Sequence, residues 1–371
     1  MFKTNRISKK LILLLSLIGV LAVLSGCMGT GQKPLGWSGV VVSDNDAIFG
    51  SMTGKLIALN KDASTPRYQV PLETTTSGGG CAGAVTTVGI YGTPVISDGV
   101  IYISTYGGKI YAYNQDQGDL KWVYPVTDAL PAIVSGIAPN GDKIFFADTN
   151  GVVYALSKAD GQKVWEYPTG AKIWASPVVS GDLVIVPGFD KKVYALDINT
   201  GNPVWTFEAK SPFASAPVVD NGTVYVGCFD RNMYALDLTD GSQKWVFASP
   251  NWFWASPVIA DGKVFAPNLD GNTYILDALT GTQLKVINMT DGVASSPALL
   301  GDNVIVATKT GKIFSINIYS LEMKAVTDLA LKVIAPVTVS GEVVYIHTQE
   351  NETVYAINPE SRTIIWTFVV S

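Results

Sequence analysis

An all-β chain built by radial repetition of one small sheet is what this 371-residue sequence predicts, and three observations predict it. The first is a repeated motif. Ala195-Leu-Asp197-Ile-Asn-Thr200-Gly201-Asn-Pro-Val-Trp205 returns forty residues later as Ala235-Leu-Asp237-Leu-Thr-Asp240-Gly241-Ser-Gln-Lys-Trp245. The same frame runs from Ala112 to Trp122 and from Ala155 to Trp165, with degraded copies at 275–285, 315–325 and 356–366 and a weaker one at 58–68. The second is its period: the residue before each copy is Ile57, Tyr111, Tyr154, Tyr194, Tyr234, Tyr274, Phe314 or Tyr355, at spacings of 54, 43, 40, 40, 40, 40 and 41. The third is a turn signal once per unit, as at Asp98-Gly99, Asn221-Gly222 and Asp261-Gly262. Repetition at a fixed period of this length points to a solenoid or a ring of sheets.

The unit at 174–209 shows how each strand is predicted. Ser176-Pro-Val-Val-Ser180 is a first strand, Ser180-Gly181-Asp182 a tight turn, Leu183–Val186 a second strand, Lys192–Asp197 a third and Val204–Phe207 a fourth. Short β-rich runs separated by Gly, Asn and Asp form antiparallel meanders. A four-stranded sheet this small exposes both faces, so neighbouring units must cover it, and radial closure into a β-propeller does so. Eight blades fit, starting near Trp37, Thr93, Gly136, Trp174, Ala214, Trp254, Ala294 and Ile334. The seven-bladed alternative treats the unit before residue 70 as a decorated end, but Lys55-Leu-Ile-Ala-Leu-Asn60 keeps the third-strand pattern and favours eight.

Each residue type in the motif has a physical role. The small Ala leaves room beside the next blade, Asp or Asn with Thr-Gly makes the turn, and the Trp four residues after Gly docks between sheets. Trp122, Trp165, Trp205, Trp245 and Trp366 are therefore read as structural docking residues, with looser packing expected at Lys285 and Ala325. The strand order leaves no spare strand to lace the ring, so closure is expected to rest on Trp366 against the first blade.

The first 26 residues carry Lys3, Arg6, Lys9 and Lys10 followed by the apolar run 11–24, the form of a secretory signal. Leu24-Ser25-Gly26-Cys27 resembles the lipobox of bacterial lipoproteins, which implies a lipidated Cys27, a linker over 27–36 and a propeller domain over 37–371. The chain is accordingly expected to be exported and lipid-anchored to a membrane, at the periplasmic face of an outer membrane if the cell has one. Met28-Gly29 lacks the Asp of inner-membrane retention. Four of the 26 basic residues and none of the 31 acidic ones lie in the signal, which leaves a formal charge of −9 on the remainder. With no basic stripe, nucleic acid is not an expected partner. Cys81 and Cys228 stay in an exported protein, where a disulfide is permitted.

The Ala-x-Asp-x-x-Thr-Gly-x-x-x-Trp pattern resembles the tryptophan-docking motif of the quinoprotein (PQQ) β-propellers, over nearly the whole chain after the signal. Joined to a lipobox and an eight-unit count, it is similar to the BamB-like lipoproteins of the outer-membrane β-barrel assembly machinery. That resemblance implies a monomeric, non-catalytic scaffold that docks on a protein of a β-barrel assembly complex and helps unfolded outer-membrane proteins reach it. A propeller that binds another exported complex or a glycan is the alternative, and a quinone-dependent dehydrogenase a remote one. No cofactor and no metal is expected. There is no Cys-Cys pair, Asp44-Asn45-Asp46 sits where a hairpin turn belongs, and His347 is the only histidine. A single histidine argues against a His-based metal site or a Ser-His-Asp triad with a choice of bases, and His347 is read as a surface or packing residue.

In an up-and-down blade, the connection between blades and the turn joining strands two and three emerge on one face. Aromatic residues gather there: Tyr91, Trp174, Phe213, Trp252, Phe253 and Trp254 before first strands, and Tyr106, Phe189 and Phe229 in the turns, with Lys191, Lys192 and Arg231 among them. An aromatic patch with interspersed Arg matches protein interface composition. Trp174, Phe213, Phe229, Arg231, Trp252, Phe253 and Trp254 are the candidate partner-binding residues. The insertion at 71–92, with Ser77-Gly-Gly-Gly-Cys81-Ala-Gly, accounts for the 54-residue spacing and emerges on the same face.

Overall fold

The computed structural model describes residues 37–43, 45–72, 74–76, 85–87 and 89–370. The signal segment, Cys27, Asp44 and Cys81 lie outside the described residues. Eight four-stranded antiparallel sheets follow one another, at 40–71, 95–124, 138–168, 178–208, 218–248, 258–288, 298–328 and 338–369. Each is a simple meander, so the unit before residue 70 is a complete first blade, and the ring is the eight-bladed propeller. Inside the 71–92 insertion, Thr74–Thr76 pairs with Val85–Thr87 as a separate hairpin.

Burial follows from strand position. In blade 5 the second strand Thr223–Gly227 is buried throughout and the third, Asn232–Asp237, is buried except at its ends. The fourth, Gln243–Ala248, alternates and buries only Trp245 fully. The apolar cores lie between blades: Trp205, Ala195 and Val193 of blade 4 pack with Val224, Val226, Tyr234 and Leu236 of blade 5.

The docking tryptophans connect these cores. Trp122, Trp165, Trp205, Trp245 and Trp366 each stand opposite an Ala of the third strand in their own blade. Each then donates its indole N–H to a carbonyl in the turn of the next blade: Lys158 at 2.9 Å, Ile198 at 3.1 Å, Leu238 at 2.9 Å, Ala278 at 2.9 Å and Lys61 at 2.7 Å. In blades 2 to 6 a turn glycine receives the ring face, and in blade 1 Ser64 holds that position at φ of +53°. At Gly241 a Cβ would lie 2.5 Å from the Trp205 ring, and φ is +73°, so glycine is required on both counts. The Asp of the turn fixes this geometry, since Asp197 Oδ1 accepts from the Asn199 and Thr200 amides and the Thr200 hydroxyl. These bonds hold its carboxyl below the usual range, led by the Thr200 amide.

Blade 1 has no Trp, and Tyr68 stands in for it. The Tyr68 hydroxyl donates to the Gln115 carbonyl at 2.7 Å, and Gly118 faces its ring. The two copies that end without a ring, at Lys285 and Ala325, differ. Lys285 reaches the Leu321 carbonyl with its ammonium at 2.7 Å. Ala325 is too short to reach across, and a cleft of about 510 Å³ opens between blades 7 and 8, the looser packing expected there.

Closure occurs without a mixed strand. Val40, Phe49, Ile57 and Leu59 of blade 1 share one core with Tyr345, Val354 and Ala356 of blade 8, capped by Trp366 and Phe368. The Thr338 hydroxyl donates to the Val40 carbonyl at 2.6 Å across the same seam. His347 is buried there against Phe49, with Nδ1 2.7 Å from the Ser38 carbonyl. It is a packing residue, and burial pulls its pKa down to about 4 against a smaller opposing effect of the Ser38 bond.

Two outcomes are expected from this architecture. Truncating Trp205 to Ala should cost about 3–5 kcal/mol in chemical denaturation, whereas Lys285→Ala should cost less than about 1 kcal/mol because that contact is exposed. An equal loss at both sites would refute the docking account. For His347, the native state stays neutral while the unfolded chain takes a proton near the ordinary pKa of 6.5. Its contribution is therefore complete above that pH and is lost as pH falls toward 4, by about 3 kcal/mol in total. A titration of stability from pH 7 to 4 should fall more steeply for the native chain than for His347→Gln.

Candidate protein-docking face

Three residues per blade build the face where blade connections meet the second turns. Four positions before each first strand, Trp37, Tyr91, Val134, Trp174, Ala214, Trp254, Ala294 and Ile334 ring the central channel, Trp37 standing one position closer. The next residue back, on the opposite side of an extended segment, is an apolar anchor: Ile90, Ile133, Ile173, Phe213, Phe253, Val293 and Val333 are all fully buried. One further back, the carbonyl accepts a backbone bond from the neighbouring second turn, as Lys172 does from Phe189 and Trp252 from Leu269.

This alternation corrects two expectations. Phe213 and Phe253 are 0% exposed, so they are core anchors and not contact residues. Phe213 packs on Tyr234, and Phe253 on Tyr274. Being adjacent to surface aromatics in sequence, they look alike in composition, but a period of two sends them inward.

The remaining candidates converge. Phe229 is sandwiched between Trp252, centroids 4.9 Å apart, and Trp254, at 5.5 Å, both nearly parallel to it. Phe189 lies edge-on to Phe229 at 6.1 Å and to Trp174 at 4.7 Å, and Trp174 meets Trp254 at 6.5 Å. Five rings thus form one continuous surface over blades 4 to 6, with Trp252 44% exposed. A smaller group, Trp37, Tyr91 and Tyr106, lies across the channel, with centroids 4.6 and 5.1 Å apart, and burial raises the Tyr91 phenol pKa. Between the groups the channel mouth widens to a bowl of about 630 Å³, rimmed by Lys309 and Lys332. Below it the ring of Ser176, Ser256 and Ser296 narrows the channel.

Cations complete the patch. Lys172 Nζ sits 4.3 Å from the Trp174 centroid and 4.5 Å from that of Phe189, within cation–π range. Lys191 and Arg231 are exposed at the tips of the second turns with φ of +72° each, a position where blades 1, 2, 3, 6 and 7 have Gly54, Gly108, Gly151, Gly271 and Gly311. A long side chain in left-handed backbone costs about 1–2 kcal/mol.

The patch is held rigid from beneath. Asn268, fully buried, donates from Nδ2 to the Ser249 hydroxyl and to the Asn251 carbonyl, both at 2.9 Å, which pins the segment that presents Trp252. Tyr194, Tyr234 and Tyr274 donate to Asp190, Asp230 and Asp270 in the turns; desolvation first and the carboxylates second raise all three phenol pKa values. Cys228 has no disulfide partner among the described residues; its buried thiol is directed at the Ser211 and Pro212 carbonyls, and burial pushes its pKa up to about 12. Lys172, Lys309 and Lys332 escape a search for clusters in sequence. Their positions relative to the repeat frame would have found them.

Elsewhere, Asp46 is buried against Arg67 in blade 1, with Asn45 in the hairpin turn. Among the described residues no three His, Cys, Asp or Glu side chains gather into a metal-ligating group.

Known proteins resemble this chain in the same repeat. "Outer membrane protein assembly factor BamB" of Legionella pneumophila (strain Paris) is 25% identical over 150 residues, which are 40% of this chain and 37% of that protein. The protein of the same name from Alkalilimnicola ehrlichii is 30% identical over 152 residues, 40% of this chain and 38% of the relative. The chain therefore aligns with well under half the length of these relatives. A quinoprotein ethanol dehydrogenase of Pseudomonas aeruginosa is 31% identical over 78 residues, only 12% of its length. In fold, BamB from Moraxella catarrhalis superposes with a TM-score of 0.69 at 19% identity, covering 86% of this chain and 94% of the other. A computationally designed protein, Ika8, superposes at 0.73 with 13% identity, covering 87% and 96%. The family model described as outer membrane protein assembly factor BamB matches residues 27–174 and 168–368, and the chain belongs to that family.

Proposed function

We propose that this chain is a non-catalytic scaffold, anchored to a membrane through a lipidated Cys27 at the end of its signal, that assists assembly of β-barrel proteins into the outer membrane. The observation that carries the reading is the five-ring aromatic surface of blades 4 to 6, with Lys172 over two of its rings and Lys191 and Arg231 exposed on the second turns of the same blades. Aromatic side chains and Arg dominate the residues that contribute most to protein interfaces, and a patch already rigid when free loses little entropy on binding. Trp252, Phe229, Trp254, Trp174 and Arg231 are the contact residues of this reading, and a protein of the barrel-assembly machinery is the partner.

A quinone enzyme has less support. The Trp, Gly and Asp of the repeat are consumed in joining blades, and the overlap with the dehydrogenase is confined to a length of fewer than two repeats. The one histidine is buried at the ring seam, where it cannot serve as a base at the channel mouth.

Replacing Trp252 by a photo-crosslinking residue in intact cells should capture a component of the barrel-assembly machinery. Trp252→Ser with Arg231→Glu should weaken that association by about thirtyfold. Because Trp252 is 44% exposed, its single substitution should leave stability within about 1 kcal/mol of the native chain, whereas Phe213→Ser should cost several times more. Capture of a glycan or an unrelated exported complex would refute the reading. For the anchor, Cys27→Ser should release the chain from the membrane fraction, and mass spectrometry of the native amino terminus should find acyl chains on Cys27. A membrane-bound Cys27→Ser chain would refute lipidation.

A further inference from the structure

One of the eight blade interfaces lacks its plug. Six are spanned by an aromatic side chain whose ring N–H or O–H donates to a carbonyl of the next blade, and a seventh by the Lys285 ammonium. Between blades 7 and 8 the residue at the ring position is Ala325, which is exposed, and the cleft of about 510 Å³ lies there. The pairing of the strands has moved with it. In blades 3 to 6 the bulge follows the residue opposite the ring position, but in blade 7 Phe314 pairs with Ala325 and Ser315 with Lys324. Val326 turns inward instead and is 5% exposed, which seals the inner end of the interface and leaves the outer end open.

What remains is lined by Ser315 and Ala325 on one side and by Asn358, Pro359 and Arg362 on the other. Ser315 takes the place that Ala195 holds under Trp205, and Pro359 the place of Leu238, whose carbonyl accepts the Trp205 indole. Arg362 replaces the glycine on which a ring lies in blades 2 to 6, with φ of +60°. Its guanidinium offers a cation–π face in exchange for the glycine backbone. The volume falls within the range of clefts that bury a small ligand, which leaves room for an aromatic side chain and its flanking backbone.

We propose that this cleft is a docking socket for an aromatic side chain, tryptophan or tyrosine, presented by an extended segment of a partner protein. The molecule itself shows what fills such a socket, since six others hold an aromatic ring from the chain's own fourth strand. Glu342, Glu360 and Lys324 at the rim supply polar partners for the backbone flanking that ring. The socket opens among the first and third turns, so it lies on the face opposite the aromatic patch and stands whether or not that patch binds barrel-assembly machinery.

The test uses the full propeller and N-acetyl-tryptophanamide as probe. Titration followed by backbone NMR should give saturable shifts at Ser315, Val326 and Asn358, and N-acetyl-alaninamide should give none. Ala325→Trp, at an exposed position, and Ser315→Phe should each weaken the effect by about tenfold, while Trp252→Ser leaves it unchanged. Two variants are used so that misfolding of one leaves the other to decide. Shifts confined to the channel mouth, no saturation with the tryptophan probe, or full binding in a folded blocking variant would overturn the proposal.

Discussion

The docking of a ring from one blade onto the turn of the next is the contact on which the rest of the structure depends. A single four-stranded meander cannot bury its faces alone, and in blades 4 and 5 the fourth strand is fully buried only at the ring. The indole covers the Ala of its own blade, lies on the glycine of the following one, and satisfies a turn carbonyl that would otherwise be covered without a partner. Apolar burial and hydrogen-bond satisfaction thus come from one side chain. The same contact closes the ring: Trp366 reaches Lys61 as Trp205 reaches Leu238, so the last blade joins the first by side-chain packing alone. The buried His347 at that seam makes closure sensitive to acid, because protonating it would place a charge in the shared core.

Most of this was legible in the sequence because propeller construction is periodic. A repeat of forty residues fixes blade count, strand order, the docking partners and even the faces on which turns emerge. Tyr68 shows the limit of motif matching: the blade 1 copy has no Trp, but Tyr supplies a ring and a donor to the equivalent carbonyl. Lys285 is a further departure, in which an ammonium meets the turn and Leu321 takes the glycine position at φ of +56°. Ring and glycine are both absent from that interface and from the next, whereas at the ring seam Trp366 keeps its bond to the Lys61 carbonyl with Ser64, at φ of +53°, in the glycine position.

The candidate site was less legible, and the errors have one cause. Composition marked the segments around residues 213 and 253 as aromatic, which is correct, but composition carries no direction. Phe213 and Phe253 anchor the connection from within, while Trp252 and Trp254, one residue to either side of Phe253, face outward. The alternation of an extended segment decides this, and the run of buried Ile, Phe and Val at the same position in seven blades would have exposed it. Lys172, Lys309 and Lys332 were missed for a related reason: they are far apart in sequence, and only the ring brings Lys309 and Lys332 to one bowl and Lys172 onto the rings of Trp174 and Phe189.

The regularity of the ring also explains where binding surface can form. Blades 4 to 6 follow one another at a constant spacing of one repeat with full ring docking between them, so their connections stand in fixed relation. On that base, Lys191 and Arg231 can occupy left-handed turn positions that glycine fills elsewhere, since the paired strands on either side hold the backbone in place. Five rings likewise meet across three blades, stacked at Phe229 and edge-on at Phe189 and Trp174. The degraded blades do the reverse: where Ala325 replaces the ring, the sheets part and leave a cleft. Regular repeats therefore yield a continuous aromatic surface across neighbouring blades, and a lapse in the repeat yields a cleft between them, so both kinds of surface follow from whether the docking ring is present.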